Sequence, residues 1–262
     1  MDIIDLDSGH EDLYCQCLED WSAEMQEAGS GKREWLARKK GQGLRVKLAR
    51  ENGNVVGMIQ YVPIEHAPVR GKDLYYIYCI WIHGYKQGVG NYQGRGIGTA
   101  LLKAAEDDAR DRGALGMAAW GIILPFFMRS RWFRKHGYVR ADRDGITELV
   151  WKPFQEGAVP PLLLRQKKIP MNLPEDRVTI TCIRNGWCPA QNITAERIRR
   201  IAGEHPGKVI LQEVDSEDRE NLEAWGICDA VFVNGKKLQY GPPPGYDKLK
   251  RIVEARIQKI RG

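Results

Sequence analysis

An α/β protein built in two parts is what the sequence predicts, and three features carry that expectation. Strand-like runs rich in Tyr, Ile and Val alternate with helical patterns along the chain. The stretch EGAVPPLLLRQKKIPMNLPED (156–176) holds four of the 13 prolines without a clear period, and reads as a linker between a long part (1–155) and a shorter one (177–262). A glycine-rich loop, YQGRGIGTA (92–100), stands between an aromatic strand and an amphipathic helix.

In the first part, an early helix is expected over about 10–28, followed by a basic stretch. LRVKLARENGNVVGMIQYVP (44–63) predicts a hairpin, with Asn52-Gly53 as its turn. The run LYYIYCIWI (74–82) predicts a strand. Leu101, Leu102, Ala105 and Ala109 form one apolar face of a helix over 99–112, which Gly113 ends. A strand (115–121), a helix (about 126–136) and a strand (146–151) complete this part. The second part reads as strand 178–183, a helix after 193, strand 208–214, helix 216–225, strand 229–233, an Asn234-Gly235 turn into 236–240, and a helix from 247 on.

The composition fits a soluble globular chain: of 262 residues, 43% are hydrophobic and 28% charged. No run of about 18 apolar residues occurs, so no membrane span and no membrane partner are expected. The acidic start, MDIIDLDSGHEDLY, lacks the order of a signal peptide, and a cytoplasmic location is the expectation. Six cysteines are too few for a disulfide scaffold in a chain of this length, and no metal site is expected from Cys15 and Cys17. The net charge of +6 is too weak to predict a nucleic-acid partner. The local excess over 129–143 suits a small polyanion or a solvated helix face equally.

The glycine loop is neither of two familiar phosphate loops. It has no Gly-Lys-Ser/Thr, and Gly94, Gly96 and Gly98 run G-x-G-x-G where the dinucleotide fingerprint needs G-x-G-x-x-G. What remains is Gln93-x-x-Gly96-x-Gly98 opening a helix. Glycine permits positive φ and close approach of an anion, which the free amides of the first helical turn bind. Arg95 can add a charge-assisted bond.

This pattern resembles the Q/R-x-x-G-x-G/A motif of the GNAT (GCN5-related) N-acetyltransferases. The surroundings are similar too: an aromatic strand before it, then a helix, a short strand, and a helix ending in FRKHGY (133–138). The resemblance spans about residues 1–154 and implies a GNAT fold with a mixed, mostly antiparallel sheet. It also implies acetyl-CoA as co-substrate. Gln93, Gly94, Arg95, Gly96, Ile97, Gly98 and Thr99 would hold its pyrophosphate, and Ile80, Trp81 and Ile82 would face the pantetheine arm. The implied reaction is acetyl transfer to a primary amine of a small molecule or a peptide.

Two departures stand out. HGYKQGVGN (83–91) lengthens the loop before the motif. Phe133 occupies the position where many relatives carry a tyrosine general acid, and strand 74–82 has no Glu to serve as base. His83, at the strand end, is the candidate proton acceptor through water; the alternative is an ordinary surface histidine. Cys79 reads as core. The general acid is unassigned, and transfer by positioning and backbone donors is the expectation. A non-catalytic acyl-CoA sensor and a thiol-redox protein using Cys188 are the rival readings.

The element order of 177–262, with Trp187-Cys188-Pro189 between its first strand and helix, resembles a thioredoxin-like fold. The pair of domains is similar to the YoaP-type acetyltransferases. The run Cys188-Pro-Ala-Gln191 lacks the second cysteine, so dithiol exchange within that motif is excluded. Three readings stay open: Cys188 as a single reactive thiol, a thiol-ligand pocket, and a domain kept for packing or homodimer formation.

Overall fold

The Asn52-Gly53 hairpin shows how local sequence sets the frame. Both residues have positive φ (51° and 82°), the geometry of a type I′ turn, and the flanking strands pair from Arg45 opposite Tyr61 to Glu51 opposite Asn54. The structure is a computed structural model and describes residues 1–125, 127–171, 173–238 and 242–260. In order its elements are β1 (Asp2–Asp5), α1 (Glu11–Cys15), α2 (Ala23–Glu27), α3 (Gly31–Lys40), β2 (Arg45–Glu51), β3 (Asn54–Pro63), β4 (Val69–Arg70), β5 (Leu74–Ile82), α4 (Ile97–Asp111), β6 (Gly116–Ile122), α5 (Ser130–Lys135), β7 (Val139–Asp144), β8 (Thr147–Pro153), β9 (Leu162–Leu163), β10 (Val178–Arg184), α6 (Pro189–Glu204), β11 (Val209–Asp215), α7 (Arg219–Trp225), β12 (Ala230–Val233), β13 (Lys236–Lys237) and α8 (Tyr246–Ile260). They form two units. One consists of Met1–Trp21 and Leu36–Leu164, the other of Ser22–Trp35 and the chain from Arg165 on.

The first unit is built on a seven-stranded sheet, β1-β2-β3-β5-β6-β8-β7. Only β5 and β6 run parallel, so the sheet is mixed and mostly antiparallel. The core cluster joins α4 (Ile97, Leu101, Leu102, Ala105, Ala109) to residues of β3, β5, β6 and β8, with Phe133 and Tyr138 closing one end. The apolar face read from the sequence is therefore the buried one.

The second unit carries a four-stranded sheet, β11-β10-β12-β13. β10 and β11 are parallel over seven residues, and β12 joins antiparallel. Val178, Ile180 and Cys182 of β10 pack with Ile198 and Ile201 of α6 and with Leu249 and Val253 of α8. Arg197 of α6, only 7% exposed, donates to Glu27 of α2 (2.7 Å), to Glu24 (3.1 Å) and to the Pro244 carbonyl (2.9 Å). Those bonds tie the early segment Ser22–Trp35 into this unit.

Several expectations change. The helix over 10–28 is broken: Cys17 and Leu18 adopt positive φ (53° and 64°), and the chain re-enters a helix only after Ser22, whose hydroxyl accepts from Met25 N. The basic stretch holds α3. Its buried positions 32, 35, 36 and 39 have helical spacing, but two are lysines, which hides the period from a hydrophobicity reading. Lys39 satisfies its ammonium on Gln42 and the His66 carbonyl. α5 is shorter than 126–136, because Met128 takes positive φ (49°) just before it. The edge strands β1 and β7 were not foreseen: β7, VRADRD, is charged and has no alternating apolar face. Within 156–176, Leu162–Leu163 pairs with β4. α6 starts at Pro189, a proline suited to the first helical turn. Residues 239 and 240 of the expected last strand lie outside the described residues.

Candidate functional site

The candidate site lies where β5 gives way to α4. β5 and β6 pair only from Leu74–Ile77 to Gly116–Ala119, although β5 continues to Ile82 and β6 to Ile122. Beyond that point the two parallel strands part. A register shift in β5 against β3 falls at the same place, with Gln60 opposite Cys79 and Tyr61 opposite Ile77, which leaves Tyr78 as the extra residue. The Trp120 indole N–H donates to the Tyr78 carbonyl (2.7 Å) and thereby caps the fork with a side chain. Among the described residues no strand pairs with Cys79–Ile82 on the β6 side. Ile80, Trp81 and Ile82 are each partly exposed there, whereas Tyr76–Cys79 are buried.

The glycine loop follows. Gly94 and Gly96 both have φ +79°, and Gly96 is the residue at the N-cap of α4. Among the described residues no side chain makes a capping hydrogen bond to that terminus, and a Cβ at either glycine would meet nothing within 4 Å. The 15-residue helix thus presents uncapped amides into open space, with the positive end of its dipole behind them. These features fit a diphosphate. Gln93 is held by two bonds: its N–H donates to Asn91 Oδ1 (2.9 Å) and its side-chain amide to the Ile82 carbonyl (3.3 Å). Arg95 donates to the Asn91 carbonyl (3.2 Å), and its guanidinium lies 4.5 Å from the Tyr92 ring centre. Gly98 is close to Trp132, which a Cβ would meet at 3.4 Å, and Ile97 is buried in the core beneath the loop.

Thr99 is engaged. His136 Nδ1 lies 2.9 Å from the Trp132 carbonyl and donates to it, so in the neutral imidazole Nε2 accepts from the Thr99 hydroxyl (2.9 Å). Nothing in the local sequence signals this pair, whose members lie 37 residues apart. The structure therefore gathers Gln93–Thr99 at one helix entrance and brings Ile82 to it through Gln93 and Gly98.

His83 is fully buried. Its Nδ1 is 2.7 Å from the Gly90 carbonyl and donates to it; its Nε2 accepts from the Trp21 indole N–H (3.3 Å). The Tyr92 N–H closes the same loop onto the His83 carbonyl (2.9 Å). Both ring nitrogens have protein partners, which is the opposite of a surface histidine. Phe133 is fully buried, packed edge-on against Trp132 and Tyr138.

Cys188 belongs to the second unit, at the N-cap of the 16-residue α6 and partly exposed. Around it Asn185 donates to the Cys228 carbonyl (3.0 Å) and Asn192 to the Gly186 carbonyl (2.9 Å). Burial pushes the Cys182 thiol up to about 12. Burial, and the neighbouring Asp229, push the Cys228 thiol up as well. Among the described residues no group of three or more His, Cys, Asp or Glu is arranged to hold a metal ion. No described helix is long and apolar enough to cross a membrane.

Residues 6–138, just over half of the chain, match the sequence model of the Acetyltransferase (GNAT) family. No curated protein matches significantly. Solved structures similar to the chain include an aminoglycoside 6′-acetyltransferase type Ii (16% identity, TM-score 0.44, covering 58% of this chain and 97% of that one). Another is the PaiA N-acetyltransferase of Thermoplasma acidophilum in complex with coenzyme A (16%, TM-score 0.41, 59% and 100%). A third is a GNAT family acetyltransferase of Brucella melitensis in complex with acetyl-CoA (18%, TM-score 0.39, 61% and 90%).

Proposed function

The chain belongs to the Acetyltransferase (GNAT) family, and from that premise we propose that it is an acetyl-CoA-dependent N-acetyltransferase acting on a primary amine of a small molecule or peptide. One observation carries the reading: the uncapped N-terminus of α4 lies beside the end of the split between β5 and β6. A diphosphate held on the amides after Gly94 would leave its attached arm free to run back along Ile82, Trp81 and Ile80 toward Tyr78. Coenzyme A supplies an acyl group activated as a thioester.

The residues divide the work as follows. Gly94 and Gly96 keep the amides bare, and α4 adds its dipole. Gln93 fixes the loop to the end of β5, and Arg95 contributes positive charge from its seat on Tyr92. The unpaired main chain of Cys79–Ile82 offers donors and acceptors to an amide-bearing arm. In the transfer a neutral amine attacks the thioester carbonyl, the C–N bond forms, the C–S bond breaks, and the ammonium proton leaves to water. A thiol is far more acidic than an amine, so the thiolate is the better leaving group and its departure does not require a dedicated acid. Phe133 in the place of a tyrosine is compatible with that route.

In this reading His83 positions the long loop rather than moving a proton, because the Gly90 carbonyl and Trp21 engage its two nitrogens. Calorimetry with coenzyme A, followed by an acetyl-transfer assay over a panel of amines, tests the proposal. Tight binding with transfer supports it; binding with no transfer to any amine makes the protein an acyl-CoA sensor instead.

A separate reading concerns the second unit. Its order β-α-β-α-β-β-α and the sheet β11-β10-β12-β13 support a thioredoxin-like fold, with Cys188 as a single thiol at a helix start. A helix N-terminus favours the thiolate. Cys182 and Cys228, both raised by burial, are poor attacking partners for it. Alkylation of Cys188 at mildly acidic pH, faster than that of a free cysteine, is the expected result; an ordinary rate removes this role.

A further inference from the structure

A row of aromatic rings runs past the fork, with Trp81 of β5 on the sheet face away from α4. Along β5 the side chains alternate. Ile80 and Ile82 pack with the α4 core, so Trp81 projects to the opposite face. There its ring lies 6.1 Å from Tyr85 and 6.0 Å from Phe127, centre to centre. Tyr85 continues to Trp21 (5.4 Å), and Phe127 to Trp120 (6.0 Å), the residue that caps Tyr78 at the fork. Trp21, Tyr85 and Phe127 are 38%, 43% and 39% exposed, large fractions for such rings. The Trp81 indole N–H is buried with no hydrogen-bond partner among the described residues.

The two segments that frame the row, HGYKQGVGN (83–91) and GIILPFFMR (121–129), contain one charged residue each, Lys86 and Arg129. Neither contains a carboxylate. A polycationic acceptor would meet rings and positive charge there, with no counter-charge from either segment. A flat aromatic body is the better match, because its rings can stack or meet ring edges. The His83 network holds the arrangement, since His83 bonds Trp21 and meets Tyr85 edge-on at 5.9 Å.

We propose that this row is the acceptor subsite and that it selects primary amines carried on an aromatic body. The inference rests on the acetyltransferase reading above. If the acyl arm enters from the α4 face through the fork, the attacking nitrogen comes from the ring-lined face. An arylalkylamine and a peptide with an aromatic first residue share this chemistry, so both belong in the test.

The full chain is assayed with acetyl-CoA and four amines: tryptamine, the peptide Trp-Gly-Gly, propylamine and spermidine. Tryptamine or the peptide is expected to exceed propylamine and spermidine in kcat/KM by about 30-fold, and the better of the two identifies the source. Phe127→Ala and Tyr85→Ala should each lower that kcat/KM about tenfold, mainly through KM, with coenzyme A affinity unchanged. Binding of N-acetyl-4-nitrophenethylamine, a non-emitting aromatic that quenches indole, followed by quenching of tryptophan fluorescence, gives a readout that needs no turnover. Equal kcat/KM for all four amines, a preference for spermidine, or no quenching overturns the inference while leaving coenzyme A binding intact. Loss of coenzyme A binding would instead sink the acetyltransferase reading, and the fluorescence arm would still decide the aromatic subsite.

Discussion

Two strand–turn–helix segments in this chain begin alike and end differently. In each, a strand with a parallel neighbour leads into a helix of 15 or 16 residues. β10 stays paired with β11 over its whole length, Val178 to Arg184. β5 loses β6 after Ile77. α6 opens on Cys188 with extended backbone (φ −113°) and a proline at its first position, so one amide is missing from the start. α4 opens on Gly96 in the left-handed region, and among the described residues no side chain makes a capping hydrogen bond to its amides. A paired strand and a thiol at a helix start suit sulfur chemistry at one atom. A split strand and a bare helix start suit an extended ligand with an anionic group partway along it.

The largest expected effect breaks the α4 side of the contrast. Gly96→Val forces a β-branched residue to φ +79°, where left-handed backbone costs about 1–2 kcal/mol, and covers the amides. Coenzyme A affinity should fall about a thousandfold, or about 4 kcal/mol by calorimetry. A Cβ there meets no protein atom within 4 Å, so the unfolding transition should remain cooperative. Unchanged affinity would mean that α4 does not hold the ligand.

The next effect belongs to α6. Arg197→Ala leaves Glu24 and Glu27 without their buried partner and should destabilise the second unit by about 3 kcal/mol in urea titrations. Coenzyme A affinity should stay within about twofold. The hydrogen bond from Arg197 holds the Glu27 carboxyl below its ordinary value. Its contribution is therefore complete above the unfolded carboxylate pKa, near 4.3, and is lost as pH falls through the lower folded value. In Arg197→Ala that part of the acid limb should disappear; an identical acid limb in both proteins would contradict the pairing.

A smaller change sharpens the fork. Trp120→Phe keeps a ring but removes the donor to the Tyr78 carbonyl, and should cost about 1 kcal/mol. Faster hydrogen exchange at Tyr78–Ile82, with β10 unaffected, is the expected signature. Cys188→Ser should change least: acetyl transfer and stability alike should be nearly unchanged, while the rapid alkylation vanishes.

Much of the fold was legible from local chemistry. The hairpin at Asn52-Gly53, strand 74–82 and the buried face of α4 each follow from turn residues or apolar spacing. Gly94 and Gly96 marked the loop because only a backbone without Cβ takes positive φ freely. What was missed had no local signal. α3 hides its period behind Lys32 and Lys39, and β7 is an edge strand made of charged residues. The assignment of Ser22–Trp35 to the second unit depends on Arg197, some 170 residues away in sequence.

By itself the sequence determined the local conformations: where glycine allows a bare helix start, where apolar spacing demands burial, and where a hairpin must turn. Tertiary structure alone decided that β5 and β6 separate at Tyr78, that both nitrogens of His83 are occupied, and that rings from 21, 81, 85, 120 and 127 meet in one row. The reason is physical. Propensity and capping act over a few neighbouring residues, whereas strand divergence and ring packing are set by contacts between segments far apart in the chain.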